Sequence, residues 1–296
     1  MAGLSRRGLG AGLGLLGAVG LGPAGWAAER PGAGLADELA RIEARSGGRL
    51  GVAVLDTATA RRVGHREHER FPLCSTFKLL AAAAVLARVD RGEEALGRRI
   101  PYGPADLVVH SPVTGARVGE GGLALEELCE AAMTRSDNTA ANLLLAALGG
   151  PPGLTTYART LGDEATRLDR TEPDLNEALP DDPRDTTTPA AMQANLARLV
   201  LGDALSAPSR ERLTGWLVDN RTGDARLRAG LPPGWRAGER TGTGERGTAN
   251  DVGVIWPPER PPLVVAAYLT GATAAPGERD AALAAVGRAV TAAFAG

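Results

Sequence analysis

Lysine is almost missing from this chain: of 33 basic residues in 296, only Lys78 is a lysine and the rest are arginine. Cysteine occurs twice and histidine three times, at His65, His68 and His110. Two cysteines exclude a disulfide-stapled scaffold and a four-cysteine zinc site. Three histidines leave little material for a metal centre. No basic tract occurs, and 33 basic against 35 acidic residues give a formal charge of −2, which excludes a nucleic-acid binder held by bulk electrostatics. What is present is 44% hydrophobic residues, enough for a proper core, in a length that suits two domains or one large one.

The single lysine stands against a background that has drifted to arginine. A position that keeps lysine there needs what arginine cannot do, which is to lose a proton.

Residues 1–28 read as an export signal rather than as fold. Ser5-Arg6-Arg7 precedes a glycine-rich apolar run over residues 9–21, and Pro23 and small residues around Ala27 and Ala28 follow. The arginine pair resembles a twin-arginine signal. The apolar run is too short and glycine-rich for a good membrane span. A G-x-G-x-x-G match at Gly12–Gly17 lacks the preceding strand that a dinucleotide site needs. The expected product is exported, periplasmic or secreted, without stable membrane association. Loss of Arg6 and Arg7 leaves 31 basic against 35 acidic residues, a charge of −4.

Helical periodicity marks residues 35–45, 79–89, 125–134, 139–148, 190–201, 209–218 and 279–294. Extended patterns mark 50–55, 62–65, 235–241, 251–256 and 263–269. Strands at both ends thus flank a long helical insert. The expected class is α/β (α+β): an antiparallel sheet flanked by helices from both termini, plus an all-helical domain. The boundaries expected are 29–67 with 217–296 for the sheet domain and 68–216 for the helical one, with a site in the crevice between them.

Three short motifs carry chemistry. Ser75-Thr76-Phe77-Lys78 opens the alanine-rich helix, so serine and lysine lie one turn apart on one face. A serine hydroxyl needs an adjacent base to act as a nucleophile, and a partly buried lysine can supply one. The bland alternative is a helix cap and a surface lysine. Ser136-Asp137-Asn138 lies between two helices, where all three residues are good caps. Arg240-Thr241-Gly242, followed by Thr243, closes a strand. Each motif is common alone, but the three in this order, roughly 60 and then 100 residues apart, form a specific signal.

With these residues in view, the chain resembles the class A serine β-lactamases over nearly all of residues 29–296, with a β-lactamase/transpeptidase-like fold. Ser111-Pro112-Val113-Thr114 and the 251–256 segment extend the likeness. Residues 170–185, with Glu172-Pro173-Asp174-Leu175-Asn176, resemble the family's omega loop, clamped by an Arg170–Asp185 pair and with Glu172-Pro173 open to a cis bond. The resemblance implies catalytic roles for Ser75, Lys78, Ser136 and Glu172. It implies that Ser75 attacks a lactam carbonyl, its proton going to Lys78 or through a water to Glu172, and that the backbone N–H groups of Ser75 and Thr243 hold the oxyanion. Ser136 would then protonate the leaving nitrogen, and Glu172 with Asn176 would activate water. Asn138, Arg240, Thr241, Gly242 and Thr243 would hold substrate. No cofactor or metal is implied, and the partner is a small β-lactam met by a monomer. Two rivals remain: a D,D-peptidase acting on peptidoglycan, against which Glu172 and Asn176 speak, and a non-catalytic β-lactam sensor domain.

The chain departs from the family in places. Arg240 stands where lysine is usual, a feature of the carbenicillin-hydrolysing subgroup. Ala249 occupies a position where many members carry a second arginine, and Arg226 is expected to supply that guanidinium to substrate. His110 replaces an aromatic gate residue and could stack on substrate. His65 and His68 are expected to be solvated. Carbapenemases of the class pair cysteines at positions matching Cys74 and Gly244; without sulfur at 244, Cys74 and Cys129 are expected to be free and buried.

Overall fold

A computed structural model describes residues 34–294; the expected export signal lies outside them. Five strands build one antiparallel sheet: β1 (Arg49–Asp56), β2 (Arg61–His65), β3 (Arg236–Gly244), β4 (Thr248–Trp256) and β5 (Leu263–Thr270). Their order across the sheet is β2-β1-β5-β4-β3, so the two N-terminal strands join the three C-terminal ones through β1 and β5.

Period-two alternation puts the two faces of β5 to different uses. Val264, Ala266 and Tyr268 belong to one apolar cluster, and Leu263, Val265, Ala267 and Leu269 to another. The second cluster is closed by the terminal helices α1 (Leu35–Ser46) and, at the other end of the chain, Pro276–Phe294. The first faces the helical part, which comprises α2 (Phe77–Asp90), α3 (Leu125–Arg135), α4 (Asn138–Leu148), α5 (Gly150–Thr160), α6 (Pro189–Leu196) and α7 (Ala207–Val218); the C-terminal helix is α8. Every α2 residue from Phe77 to Ala87 is buried. A helix apolar all round must sit inside a protein, and the small faces of Ala81–Ala84 let its neighbours approach closely. Among the described residues no helix is long and apolar enough to cross a membrane.

Three details differ from the sequence expectation. Helix α5 was not foreseen, because Gly150-Pro151-Pro152-Gly153 reads as a loop; proline in the first turn costs no intrahelical bond, since those N–H groups have no partner anyway. The segment expected as one helix over 190–201 ends as α6 at Leu196 and continues as a wider turn, Ala197–Leu201. His65 is half-buried rather than solvated, its Nε2 2.8 Å from Glu43 Oε2, whereas His68 is exposed as expected. Cys74 and Cys129 are free and buried.

Candidate active site

The nucleophile motif sits in a 3₁₀ turn, Cys74–Thr76, that leads into α2. Cys74 takes a left-handed φ of 43°. Asn250 of β4 anchors this turn to the sheet, its Nδ2 donating to Pro72 O at 2.9 Å and Leu73 O at 3.2 Å. Gly242 lets β3 lie against it: a Cβ there would come within 3.0 Å of Leu73 O. At Gly244 a Cβ would meet Cys74 Sγ at 2.6 Å.

Ser136 ends α3 in the left-handed conformation, with φ 57°. Asp137 is the structural member of its motif. It is fully buried, caps α4 through Ala140 N at 2.8 Å, and accepts from Val113 N and Thr114 N, both at 2.9 Å. That cap sets Ser136 and Asn138 on either side of it. Lys78 Nζ donates to Ser136 O at 2.9 Å, Ser136 Oγ at 3.3 Å and Asn138 Oδ1 at 2.6 Å.

Glu172 enters from the 170–185 loop. The clamp expected at the loop's ends is present: Arg170 Nε lies 2.6 Å from Asp185 Oδ2, and Asp185 Oδ1 accepts from the backbone N–H groups of Asp169 and Arg170. The Glu172-Pro173 bond is cis. Asn142 holds the glutamate's backbone from both sides, with its Oδ1 on Glu172 N and its Nδ2 on Glu172 O, each at 2.9 Å. The enclosed carboxylate accepts at Oε1 from Ser75 Oγ (3.2 Å) and lies 3.0 Å from Lys78 Nζ, while Oε2 accepts from Asn176 Nδ2.

Burial lowers Lys78 to about 8, helped by the charge of Arg240 and opposed by Glu172. Arg240 is fully buried; its NH2 donates to Ser136 Oγ at 2.6 Å, and burial lowers it to about 10 against the pull of Glu172 and Asp251. On the neighbouring strand positions, burial and the adjacent Asp251 carboxyl raise Glu239 well above the ordinary carboxyl range. Arg228 Nε stands 3.1 Å from Glu239 Oε1, and Leu227 N donates to Asp251 Oδ2 at 3.0 Å.

Eight of the twelve residues singled out in the sequence line a cleft of about 290 Å³: Ser75, His110, Ser136, Asn138, Asn176, Thr241, Gly242 and Thr243. Lys78, Glu172 and Arg240 lie directly beneath, each bonded to a lining residue. Arg226 does not line the cleft. Its Nε is taken by Asp280 (2.8 Å), its NH1 by the carbonyls of Gly242 and Asn250 (2.8 Å each), and its NH2 by Thr243 Oγ1 (2.7 Å). It meets the cleft through the Thr243 hydroxyl and the Gly242 carbonyl, and Asn250 O and Asp280 take two more of its donors. His110 is exposed on the rim with φ 60°, its Nε2 3.2 Å from Arg135 O.

A larger hollow of about 770 Å³ lies beside Ala178–Pro183 and Arg246, but none of the twelve residues lines it. Convergent buried polar groups, not size, make the smaller cleft the candidate site. Among the described residues no group of three His, Cys, Asp or Glu side chains is placed to hold a metal ion.

Sequence reasoning missed Asn142, Thr222, Asn250 and Asp280. Only Asn142 left a signal, four residues after Asn138 and hence on the same face of one helix.

This constellation agrees with what comparison finds. The profile of the beta-lactamase enzyme family matches residues 34–294. The chain belongs to the class A β-lactamase family. It is 48% identical to Beta-lactamase L2 of Stenotrophomonas maltophilia over 86% of this chain and 84% of that protein. It is 51% identical to a beta-lactamase of Streptomyces fradiae over 86% and 83%. Among solved structures, an ancestral class A beta-lactamase is 65% identical with a TM-score of 0.87, covering 88% of this chain and 100% of that one.

Proposed function

We propose that this chain hydrolyses penicillins, carbenicillin-type substrates included, and some cephalosporins through an acyl-enzyme on Ser75, and so confers resistance to them. Its family activity is hydrolysis of the β-lactam amide bond. The observation that carries the reading is the convergence of Glu172, Asn176 and Lys78 on one serine. A transpeptidase or sensor needs the serine and lysine; only a hydrolase also needs a carboxylate and an amide poised to drive water onto the ester.

The contacts supply a proton path. Ser75 Oγ attacks the lactam carbonyl and gives its proton to Glu172 Oε1, which it already faces. Lys78 bridges Glu172 to Ser136 Oγ, so it passes one proton to Ser136 and regains another from Glu172. Ser136, held by Arg240, delivers its proton to the ring nitrogen as the C–N bond breaks. The oxyanion is held by the N–H groups of Ser75 and Thr243, a type of contact worth about 3–4 kcal/mol per donor. Water held by Glu172 and Asn176 then attacks the ester, Glu172 takes its proton and hands it to Ser75 Oγ as the ester C–O bond breaks, and both residues return to their starting state. Asn138 and His110 would meet the substrate's side chain, and Arg240, Thr241 and Thr243 its carboxylate. Arg226 contributes through Thr243.

We place the sheet lobe at residues 29–67 and 217–296 and the helical lobe at 68–216, with the cleft between them. Residues 1–28 act as a cleaved export signal, and the product works as a periplasmic or secreted monomer. The test is turnover of a chromogenic β-lactam by the purified chain. Many turnovers per enzyme support hydrolysis; a single stoichiometric burst would return the chain to the transpeptidase or sensor reading.

A further inference from the structure

We propose that Thr222 is a positioning residue for substrate anions, a hydroxyl that turns to hand its hydrogen to Thr241 when a carboxylate arrives. This rests on the reading of the cleft as the β-lactam site. Thr222 lies in the connection between α7 and β3, and it lines the cleft. Its backbone N–H donates to Asn220 Oδ1 at 3.1 Å, its Oγ1 can donate to the same oxygen at 2.8 Å, and Oγ1 is also bonded to Thr241 Oγ1. Arg240 NH1 reaches both hydroxyl oxygens at 3.4 Å.

Each threonine has one hydroxyl hydrogen, so the bonds can be counted. In the resting arrangement Thr241 donates to Thr222, and Thr222 donates to Asn220 Oδ1. Thr241 then has no hydrogen to offer an anion. A carboxylate at Thr241 requires the pair to reverse: Thr222 donates to Thr241, and Thr241 donates to the carboxylate. The reversal leaves nothing orphaned, because Asn220 Oδ1 keeps the Thr222 N–H. That N–H also fixes which end of the fully buried Asn220 amide faces Thr222. A hydroxyl that accepts a hydrogen bond is itself a stronger donor, so Thr241 is strengthened while the anion is bound. The same Thr222 oxygen accepts from Arg240, whose Nε has no partner, and so helps hold a fully buried guanidinium towards the anion site.

The experiment compares kcat and KM of wild type, Thr222→Val and Thr222→Ser on benzylpenicillin and on its methyl ester, which lacks the anion. Valine keeps the shape and removes the hydroxyl. The expected result is a KM for the acid raised about fivefold, the size of one modest hydrogen bond, with kcat within about twofold. Serine should restore the wild-type KM, and the ester should not register the change. Equal KM values for wild type and valine on the acid would overturn the proposal, as would a loss shared equally by acid and ester. Thr222→Ala, measured in parallel, reads the same loss if valine does not fold in that place. If wild type itself fails to turn over either compound, the hydrolase reading fails instead, and the two failures are distinct.

Discussion

Lys78 Nζ lies 3.0 Å from Glu172 Oε1, and both side chains are wholly enclosed. A pair like this is not a stability device, since burying two charges costs about as much as their attraction returns. In the proposed mechanism its use is chemical: burial brings Lys78 to about 8, close enough to neutrality for the amine to give and take a proton.

Lys78→Arg should therefore lower kcat/KM for benzylpenicillin by at least about 100-fold, the usual scale of a lost acid–base group. Arg240→Lys should stay within about tenfold, because its contact with Ser136 needs only a donor and a charge. The alkaline limb of the wild-type rate should fall near pH 8 and remain there in Arg240→Lys. Near wild-type rates in both variants would show that no proton moves through Lys78.

Glu172→Ala should acylate but not deacylate. Removing the carboxylate takes away the charge that holds Lys78 up, so the amine turns neutral and can accept the Ser75 proton itself. No comparable base then faces the hydrolytic water. Intact-mass spectrometry after mixing with benzylpenicillin should find a persistent adduct on Ser75, and undiminished turnover would remove Glu172 from the mechanism.

Glu239 predicts a pH signature in stability. Its carboxyl is raised in the fold, so it stabilises fully below the ordinary value of 4.5 and contributes progressively less as the pH climbs towards the folded-state value. Glu239→Gln cannot lose a proton and should flatten that part of the curve. Melting temperatures of both proteins from acid to alkaline pH decide this. The opposing contribution of Lys78 is common to both, so parallel curves would mean that Glu239 is not protonated in the fold.

Carbenicillin should be hydrolysed with a kcat/KM within about 100-fold of benzylpenicillin, a span of roughly 2.7 kcal/mol in transition-state stabilisation. Arg240 beneath the cleft, and Arg226 behind Thr243, offer two permanent positive charges to a dianion. Arg226→Ala should raise KM for both substrates and also lower the melting temperature, because its NH1 ties the carbonyls of Gly242 and Asn250. Salt should shrink the KM effect and leave the loss of stability. Unchanged KM values would assign the carboxylate to Arg240 and the threonines alone.

The linear chain carried much of this. Short apolar runs marked the strands to within a few residues, since β1 and β5 are buried on both faces. Motif order marked Ser75, Lys78, Ser136 and Arg240 before any contact was known, because their chemistry demands those residue types at recognisable spacing. The solitary lysine proved to be the fully buried one.

Pairing across long stretches of chain was decided only in three dimensions. Nothing local says that Asn142 grips the backbone of Glu172, that Asn250 braces the turn before Ser75, or that Asp280 and two strand carbonyls absorb the donors of Arg226. Asparagine and aspartate read as caps and turns in sequence, since their short side chains favour nearby backbone. Which distant backbone they satisfy depends on how the sheet and helices pack. The sequence by itself pointed to the class of chemistry and the residues able to perform it; the tertiary structure decided which of them come within bonding reach of one another, because hydrogen bonds span about 3 Å and only packing brings such groups that close.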